Sequence, residues 1–162
     1  MAVLPIVTVP DPVLRQKTKR IRTIDKSIKK LIADMRETLH ADEGRVGLAA
    51  PQVGVSLRAT VIGIPEEEDI ILINPEIVRK KGEHLVIEGC LSIPGYMGEI
   101  NRAEIVTVKG LDLDGKEIRI KADGLLAQAL QHEIDHLNGT LYVDHLESPD
   151  ALRKIEPEDT DI

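Results

Sequence analysis

The fold is decided by one stretch of the sequence, Gln131-His132-Glu133-Ile134-Asp135-His136. On a helix, residues four apart lie on the same face, so His132 and His136 can bind one metal ion. Glu133 lies beside the first histidine, where a carboxylate can move protons on a metal-bound water. The pattern is short, so its value depends on a helix around it and a third ligand elsewhere in the chain.

The residues around this stretch have the marks of a buried helix. Asp123 or Gly124 stands where a helix cap is expected, and Gly139 stands where a left-handed residue ends a helix. Apolar residues occur on several sides of the predicted cylinder, namely Leu125, Leu126, Ala129, Leu130 and Leu137. A helix that is apolar on several sides is buried, so the sequence predicts a core helix that carries both histidines.

Two further helices and five strands are predicted from periodicity. Asp11-Pro12 opens a short helix that ends before Lys19, and Asp25 caps an amphipathic helix that runs to about residue 41. Strand patterns cover residues 58–64, 70–74, 85–87, 105–109 and 117–122. Residues 44–54 are expected to form a glycine-rich loop. The predicted fold is α+β, with antiparallel β-sheets around a central metal-binding helix and helices at the N-terminus.

Composition limits the class of protein. The length of 162 residues predicts one catalytic domain, residues 1–150, followed by a short acidic tail, residues 151–162. The chain contains no Phe and no Trp, so its core is expected to be aliphatic. Its single cysteine, Cys90, excludes an internal disulfide and suits a reducing cytosol. No signal peptide and no apolar run of about 18 residues is visible, so we expect a cytoplasmic protein that does not enter a membrane.

The charge distribution bears on partners. A net charge of −7 argues against direct nucleic-acid binding, which needs a basic footprint. Basic residues are nevertheless crowded between Arg15 and Lys30. This run is typical of a solvated helix face, and contact with RNA or a ribosome is the alternative that it leaves open.

Cys90 is the candidate third ligand. A lone buried cysteine is usually an inert apolar residue, and two buried histidines can simply be hydrogen bonded within a core. Cys90, however, follows Glu88-Gly89 at a predicted strand end, where the glycine lets another backbone approach closely. One cysteine and two histidines make a tetrahedral site with one open position, which is the arrangement of a catalytic metal centre.

Three segments together resemble the peptide deformylase family, metalloenzymes that remove the N-formyl group from nascent proteins. They are Gly47-Leu-Ala-Ala-Pro-Gln52, Glu88-Gly-Cys-Leu-Ser92 and Gln131-His-Glu-Ile-Asp-His136. They occur in the family's order, and the similarity extends from about residue 2 to residue 150. The resemblance implies a bacterial cytoplasmic hydrolase that binds Fe²⁺, or Zn²⁺ or Ni²⁺ in preparations. Its substrates would be formyl-methionyl nascent peptides, from which it would release formate.

The resemblance also implies roles for the matching residues. The metal ligands would be Cys90, His132 and His136. Glu133 would take a proton from the metal-bound water that attacks the formyl carbon, and would later pass it to the departing amine. The Gln52 side chain and the Leu91 backbone N–H would stabilise the oxyanion.

The same resemblance places the substrate. Gly47 and Gly89 would let an extended peptide lie between two backbone segments and add as a strand. The methionine pocket would be lined by Val46, Val86, Leu125 and Ala129, which are equally ordinary core residues. Glu88 and Arg102 match a structural ion pair behind the metal site.

Two residues depart from the family pattern. Arg45 stands where the family usually has glycine, with Gly44 beside it, which suggests a one-residue insertion and an altered substrate edge. Gln128 stands where an apolar residue is common, so the methionine pocket is expected to be modified.

Two other functions remain alternatives. A metallopeptidase would use the same His-Glu-x-x-His chemistry on internal peptide bonds, but such enzymes usually take their third ligand downstream, whereas Cys90 lies upstream. A deformylase-like protein that only binds nascent N-termini would not need the base Glu133.

The other polar candidates carry no assigned chemistry. His40, His84 and His145 lack ligand spacing, so surface positions or local hydrogen bonds are expected. The sequence does not decide whether Asp135 supports the site or faces water.

Overall fold

A computed structural model of the protein describes residues 2–155. Two α-helices are present in this part of the chain, α1 (Lys26–Leu39) and α2 (Gly124–Leu137). Its strands are β1 (Gly47–Ala49), β2 (Ala59–Ile62), β3 (Ile70–Lys81), β4 (His84–Cys90), β5 (Ile93–Arg102), β6 (Ile105–Leu111), β7 (Glu117–Ala122) and β8 (Arg153–Lys154). Short 3₁₀ helices cover Pro12–Arg15, Ala50–Val53, Tyr142–His145 and Pro149–Ala151.

The strands form two antiparallel sheets. The larger sheet has the order β1-β2-β3-β6-β7, and the smaller one has the order β4-β5-β8. α2 follows the last strand of the large sheet, and a single residue, Asp123, separates it from β7. The prediction of an α+β fold with antiparallel sheets around a central helix is confirmed.

The large sheet is covered on both faces where β1, β2 and β3 run side by side. Successive residues of a strand point to opposite faces, and in β2 Val61 packs with the apolar side of α1 while Ile62 packs with α2. The cluster on the α2 side is wholly aliphatic and includes Leu72, Val106, Val108, Ala127, Leu130 and Ile134. This double covering explains why all four residues of β2 are buried, and it fixes α2 in the interior.

The helix ends follow the predicted signals. The Asp25 carboxylate accepts a hydrogen bond from the Ile28 backbone N–H (3.1 Å) and caps α1 as expected. Asp123 is the residue before α2, and Gly139 has a φ of +76° just beyond its C-terminal cap. The predicted first helix is shorter than expected, because only Pro12–Arg15 is helical and it is a 3₁₀ turn.

Several strands differ from the prediction. β1 lies inside the expected loop of residues 44–54, and β5 was not predicted. The sequence of β5, Ile93–Arg102, contains one proline and two glycines, which are poor strand formers, so it forms by pairing along the length of β4. β3 and β4 are also longer than their apolar patterns. β3 continues through the mostly exposed residues 76–81, which pair with β6, and β4 continues through the buried residues 88–90, which pair with β5.

The division into a domain of residues 1–150 and a tail of residues 151–162 stays a prediction. Arg153–Lys154 forms β8 against β5, and residues 156–162 lie outside the described part of the chain. Within residues 2–155, no helix combines the length and the apolar character that crossing a membrane requires.

Gly139→Ala is expected to lower the free energy of unfolding by at least about 2 kcal/mol, because a Cβ atom there would lie 2.6 Å from the Arg15 carbonyl oxygen. Gly44→Ala is the matched control, since Gly44 also has a positive φ (+86°) but no atom lies within 4 Å of its added Cβ. Its cost should be limited to the backbone strain of the positive φ, about 1–2 kcal/mol. Urea unfolding of the metal-free proteins measures both, and equal costs would contradict the packing argument.

Candidate metal centre

Three metal-ligating atoms meet in the interior of the protein. Cys90 ends β4, and His132 and His136 lie one turn apart on α2. The Nε2 atom of His136 is 3.3 Å from the Cys90 sulfur and 3.2 Å from Nε2 of His132. The ligand atoms all lie within 4.8 Å of one another, and all three residues are buried. The structure therefore brings the predicted ligand set together.

An irregularity in the small sheet places Cys90. β4 and β5 pair regularly through Gly89 and Met97, and the register then shifts so that Cys90 is opposite Ile93. Such irregularities redirect side chains next to active sites. Here the shift coincides with the residue that contributes the sulfur.

His132 is held from behind by a buried carboxylate. Its Nδ1–H donates to Glu88 (2.7 Å), and Glu88 also accepts from Nε and Nη2 of Arg102 (2.7 Å each). Burial alone would raise the pKa of Glu88, but the hydrogen bonds from Arg102 and His132 outweigh it and lower that pKa to about 2. Glu88 is therefore ionised, fixes the proton of His132 on Nδ1 and leaves Nε2 for a metal.

Glu133 has a different environment. Its side chain is fully buried, and among residues 2–155 neither carboxylate oxygen has a hydrogen-bond partner. Burial, the largest cause, raises the pKa of Glu133 to about 7. A carboxyl group with a pKa near neutrality can both accept and donate a proton at physiological pH.

The Gln52 side chain is oriented toward the ligands. Its Oε1 accepts a hydrogen bond from the Ala49 backbone N–H (3.0 Å), which leaves the amide nitrogen on the other side. That nitrogen lies 3.6 Å from the Cys90 sulfur and 3.3 Å from Oγ of Ser92. Leu91 follows Cys90 directly and is half-buried between β4 and β5.

Gly47 contacts the predicted base. A Cβ atom at Gly47 would lie 2.6 Å from a carboxylate oxygen of Glu133 and 2.9 Å from its Cγ and Cδ. No side chain fits there without moving Glu133. Glycine is therefore required at position 47 to make room for Glu133, in addition to the predicted role of admitting a substrate strand.

The predicted pocket residues occupy different environments. Val46 and Ala129 are buried in the cluster between α2 and the large sheet. Val86 is half-buried against the cluster that contains Cys90, and Leu125 is 40% exposed. Their role as the walls of a methionine pocket stays a prediction.

The two residues that depart from the family pattern, Arg45 and Gln128, both have hydrogen-bond partners in the structure. The Arg45 guanidinium donates to the Thr38 carbonyl (2.5 Å) and pairs with Asp42 (2.9 Å), so it lies against the end of α1. The Gln128 amide donates to the Ile87 carbonyl (3.2 Å) and joins α2 to β4.

Three contacts were not predicted. The Asp135 carboxylate binds Arg102 (2.7 Å) and His145 (2.8 Å), so it faces the site's supporting residues. The Tyr142 ring stacks on His132, with centroids 6.4 Å apart. Tyr142 and His145 follow the turn at Gly139, so no helical period relates them to the ligands.

His40 binds Asp69 (2.8 Å), which is the local role expected for it.

The donor set fits a metal ion. A thiolate and two imidazoles suit the later first-row transition metals, and three protein ligands leave a position open for chemistry. The unpartnered buried carboxylate of Glu133 next to this set is costly unless a further polar group interacts with it. The centre therefore has the composition of a catalytic metal site.

Comparison with known proteins identifies the family. The model of the polypeptide deformylase family matches residues 3–151. The chain belongs to the polypeptide deformylase family. It is 58% identical over 160 residues to the peptide deformylase of Dehalococcoides mccartyi (strain CBDB1), with 98% of this chain and 95% of that protein covered.

Solved deformylase structures share the fold. The crystal structure of a peptide deformylase from Legionella pneumophila superposes with a TM-score of 0.88 at 51% identity, covering 93% of this chain and 89% of that one. The peptide deformylase of Ehrlichia chaffeensis in complex with actinonin gives a TM-score of 0.88 at 45% identity, with 93% and 92% covered. The resemblance predicted from the three sequence segments is confirmed.

Glu88→Gln is expected to weaken metal binding about 10- to 100-fold, because the ionised partner of His132 is lost. It should also lower the free energy of unfolding of the metal-free protein by about 3 kcal/mol, since Arg102 keeps its buried charge. Chelator competition and urea unfolding measure the two effects. Glu99→Gln, which changes an exposed carboxylate on β5, is the control. Unchanged metal affinity in Glu88→Gln would contradict the assigned support.

Proposed function

We propose that the protein removes the formyl group from the N-terminal formyl-methionine of nascent polypeptides and releases formate. The observation that carries this proposal is the buried Cys90, His132 and His136 set beside the unpartnered carboxylate of Glu133, in a chain of the polypeptide deformylase family. The protein is thus a metal-dependent amide hydrolase, and the residue roles below are part of the proposal.

The metal would be held by Cys90, His132 and His136. A divalent ion there would act as a Lewis acid and lower the pKa of a water molecule from 15.7 towards about 7. We propose Fe²⁺ in the cell, with Zn²⁺ or Ni²⁺ in preparations, since all three accept a sulfur and two imidazole nitrogens. The thiolate makes the site sensitive to oxidation, so anaerobic purification is part of the test.

Glu133 would be the general base and then the general acid. Its carboxylate has no competing hydrogen bond within the described chain, and its pKa of about 7 allows proton uptake and release near neutrality. It would take a proton from the attacking water and give it to the nitrogen of the departing amine. Because Gly47 has no side chain, the Glu133 carboxylate has room between α2 and β1.

Gln52 and Leu91 would stabilise the oxyanion that forms on the formyl oxygen. The Gln52 amide nitrogen is fixed on the ligand side because Oε1 is held by the Ala49 N–H. A preset donor needs no reorganisation during the reaction, and the loss of one such donor typically costs about 3 kcal/mol. The Leu91 backbone N–H is one residue from the metal-binding sulfur and would be the second donor.

The peptide would lie between β1 and β4, beside Gly47 and Gly89. Main-chain pairing in this position accepts many sequences. The side chains of Val46, Val86, Leu125 and Ala129 would receive the methionine, and the bond from Gln128 to β4 would alter the edge of that pocket.

We further propose that the protein works in the bacterial cytoplasm, close to the ribosome. The single cysteine, Cys90, is free and buried, which agrees with a reducing compartment such as the cytoplasm. The basic residues between Arg15 and Lys30 support a position near an acidic assembly.

A metallopeptidase remains the alternative with the same helix motif. His145, a downstream histidine, binds Asp135 with its Nε2 and is not grouped with the ligands. The upstream Cys90 fills the third position instead. A formylated peptide and its unformylated counterpart, assayed side by side, distinguish deformylation from cleavage of internal bonds.

Glu133→Gln is expected to reduce formate release from a formyl-methionyl peptide by about 10²- to 10⁴-fold, because the proton carrier is lost. Its metal content should equal that of the wild type. Formate release by the anaerobically purified, Fe²⁺-loaded protein and elemental analysis of the same samples give the two values. No formate release by the loaded wild-type protein would overturn the proposed function.

Gly47→Ala is expected to lower formate release at least about tenfold at unchanged metal content, since the added methyl group displaces the Glu133 carboxylate by a fraction of an ångström or more. Gly44→Ala, which adds a methyl group in open space, is the control and should keep the wild-type rate. Equal rates for all three proteins would show that Glu133 tolerates the methyl group.

A further inference from the structure

A continuous series of short hydrogen bonds joins His132 to the surface. Starting from Nδ1 of His132, it passes through Glu88, Arg102 and Asp135 and ends at Nε2 of His145, with steps of 2.7, 2.7, 2.7 and 2.8 Å. The first three side chains are at most 4% exposed, and the exposure then rises to 23% at Asp135 and 36% at His145. The buried half supports the candidate ligand, and the outer half has no role in the proposed reaction.

Arg102 is the centre of this series. Its Nε and Nη2 bind the two oxygens of Glu88, and its Nη1 binds Asp135. The guanidinium is planar and rigid, so a contact at Nη1 constrains the other nitrogens as well. Because the Arg102 side chain is only 4% exposed, water can replace the Asp135 carboxylate only poorly.

His145 in turn constrains Asp135. One oxygen, Oδ2 of Asp135, accepts from both Arg102 and His145. A carboxylate can only accept, so the proton of the His145 ring lies on Nε2 in this contact. With one oxygen held from two directions, the Asp135 side chain cannot leave Arg102 without breaking a second hydrogen bond.

The segment that carries His145 also contacts the ligand from another side. The 3₁₀ helix Tyr142–His145 places the Tyr142 ring against His132 at an interplanar angle of 22°. The short 3₁₀ helix, which follows α2 after Gly139, therefore contacts both ends of the hydrogen-bonded series: Tyr142 contacts His132, and His145 is the last member.

We propose that Asp135 and His145 are positioning residues of the metal centre. They act through Arg102, whose placement sets that of Glu88 and so the orientation of the His132 ring. Their effect is on how tightly the ion is retained. This inference rests on the metal ligands of the proposed function, and it adds two residues that do not touch the metal or the substrate.

The alternative is an ordinary surface ion pair. Exposed pairs contribute about 0–1 kcal/mol to stability and would leave the metal unaffected. The chain contains a matched pair away from the metal centre, because His40 (59% exposed side chain) binds Asp69 (7% exposed) at 2.8 Å, and Asp69 also binds Arg36. That pair joins α1 to the loop before β3 and has no hydrogen bond to a ligand.

The experiment compares variants of the full chain loaded with Co²⁺, whose visible spectrum reports on the sulfur and nitrogen ligands. The variants are His145→Ala, Asp135→Asn, His145→Gln and the control His40→Ala. The rate of Co²⁺ loss to excess chelator, the visible spectrum and the melting temperature of the metal-free protein are measured for each. Asp135→Asn keeps the side-chain shape, so it tests the charge without removing volume.

Direct partners of a ligating histidine alter metal affinity about 10- to 100-fold, and we expect about 3- to 10-fold for residues further out. His145→Ala and Asp135→Asn should lose Co²⁺ faster by this factor, with a shifted visible spectrum. His145→Gln, which restores an N–H donor, and His40→Ala should stay within about twofold of the wild type.

Wild-type Co²⁺ retention in both His145→Ala and Asp135→Asn would overturn the proposal, as would an equal loss in His40→Ala or a failure of His145→Gln to restore retention. These outcomes are separate from failure of the proposed function. If the proposed function fails, the wild-type protein itself does not bind the ion or does not release formate.

Discussion

The structure depends on the hydrogen bond between His132 and Glu88. His132 lies on α2, which packs against the large sheet, and Glu88 lies on β4 in the small sheet. The bond thus joins the two halves of the fold at the point where the ligands meet. A buried carboxylate is unfavourable unless it is paired and fully hydrogen bonded, and Arg102 from β5 meets that need with two bonds.

The same centre contains two carboxylates in opposite electrostatic situations. Glu88 accepts three hydrogen bonds and has a pKa of about 2, whereas Glu133 accepts none among the described residues and has a pKa of about 7. Environments that separate the pKa values of neighbouring acids assign them different roles. One acid keeps a permanent charge to orient a ligand, and the other is free to exchange a proton.

The sequence predicted the parts of this site that have a local period or a recognisable segment. The spacing of His132 and His136, the caps at Asp25 and Gly139, and the three family segments led to the helix, the ligand set and the family. Contacts set by tertiary packing had no such signal. β5 was missed because its Pro and Gly residues form a strand only along β4, and the contact from Asp135 to His145 crosses a turn that interrupts the helical period.

The aliphatic core has an optical consequence. The chain has no Trp, no Phe and two Tyr residues, of which Tyr96 is 38% exposed and Tyr142 is 1% exposed. Tyr142 stacks on the imidazole of His132, so the single buried chromophore of the described chain lies beside the metal-binding nitrogen atoms. A change in tyrosine absorption or emission on metal loading would report on that ring, over the background of Tyr96, with no indole to mask it and no label to attach.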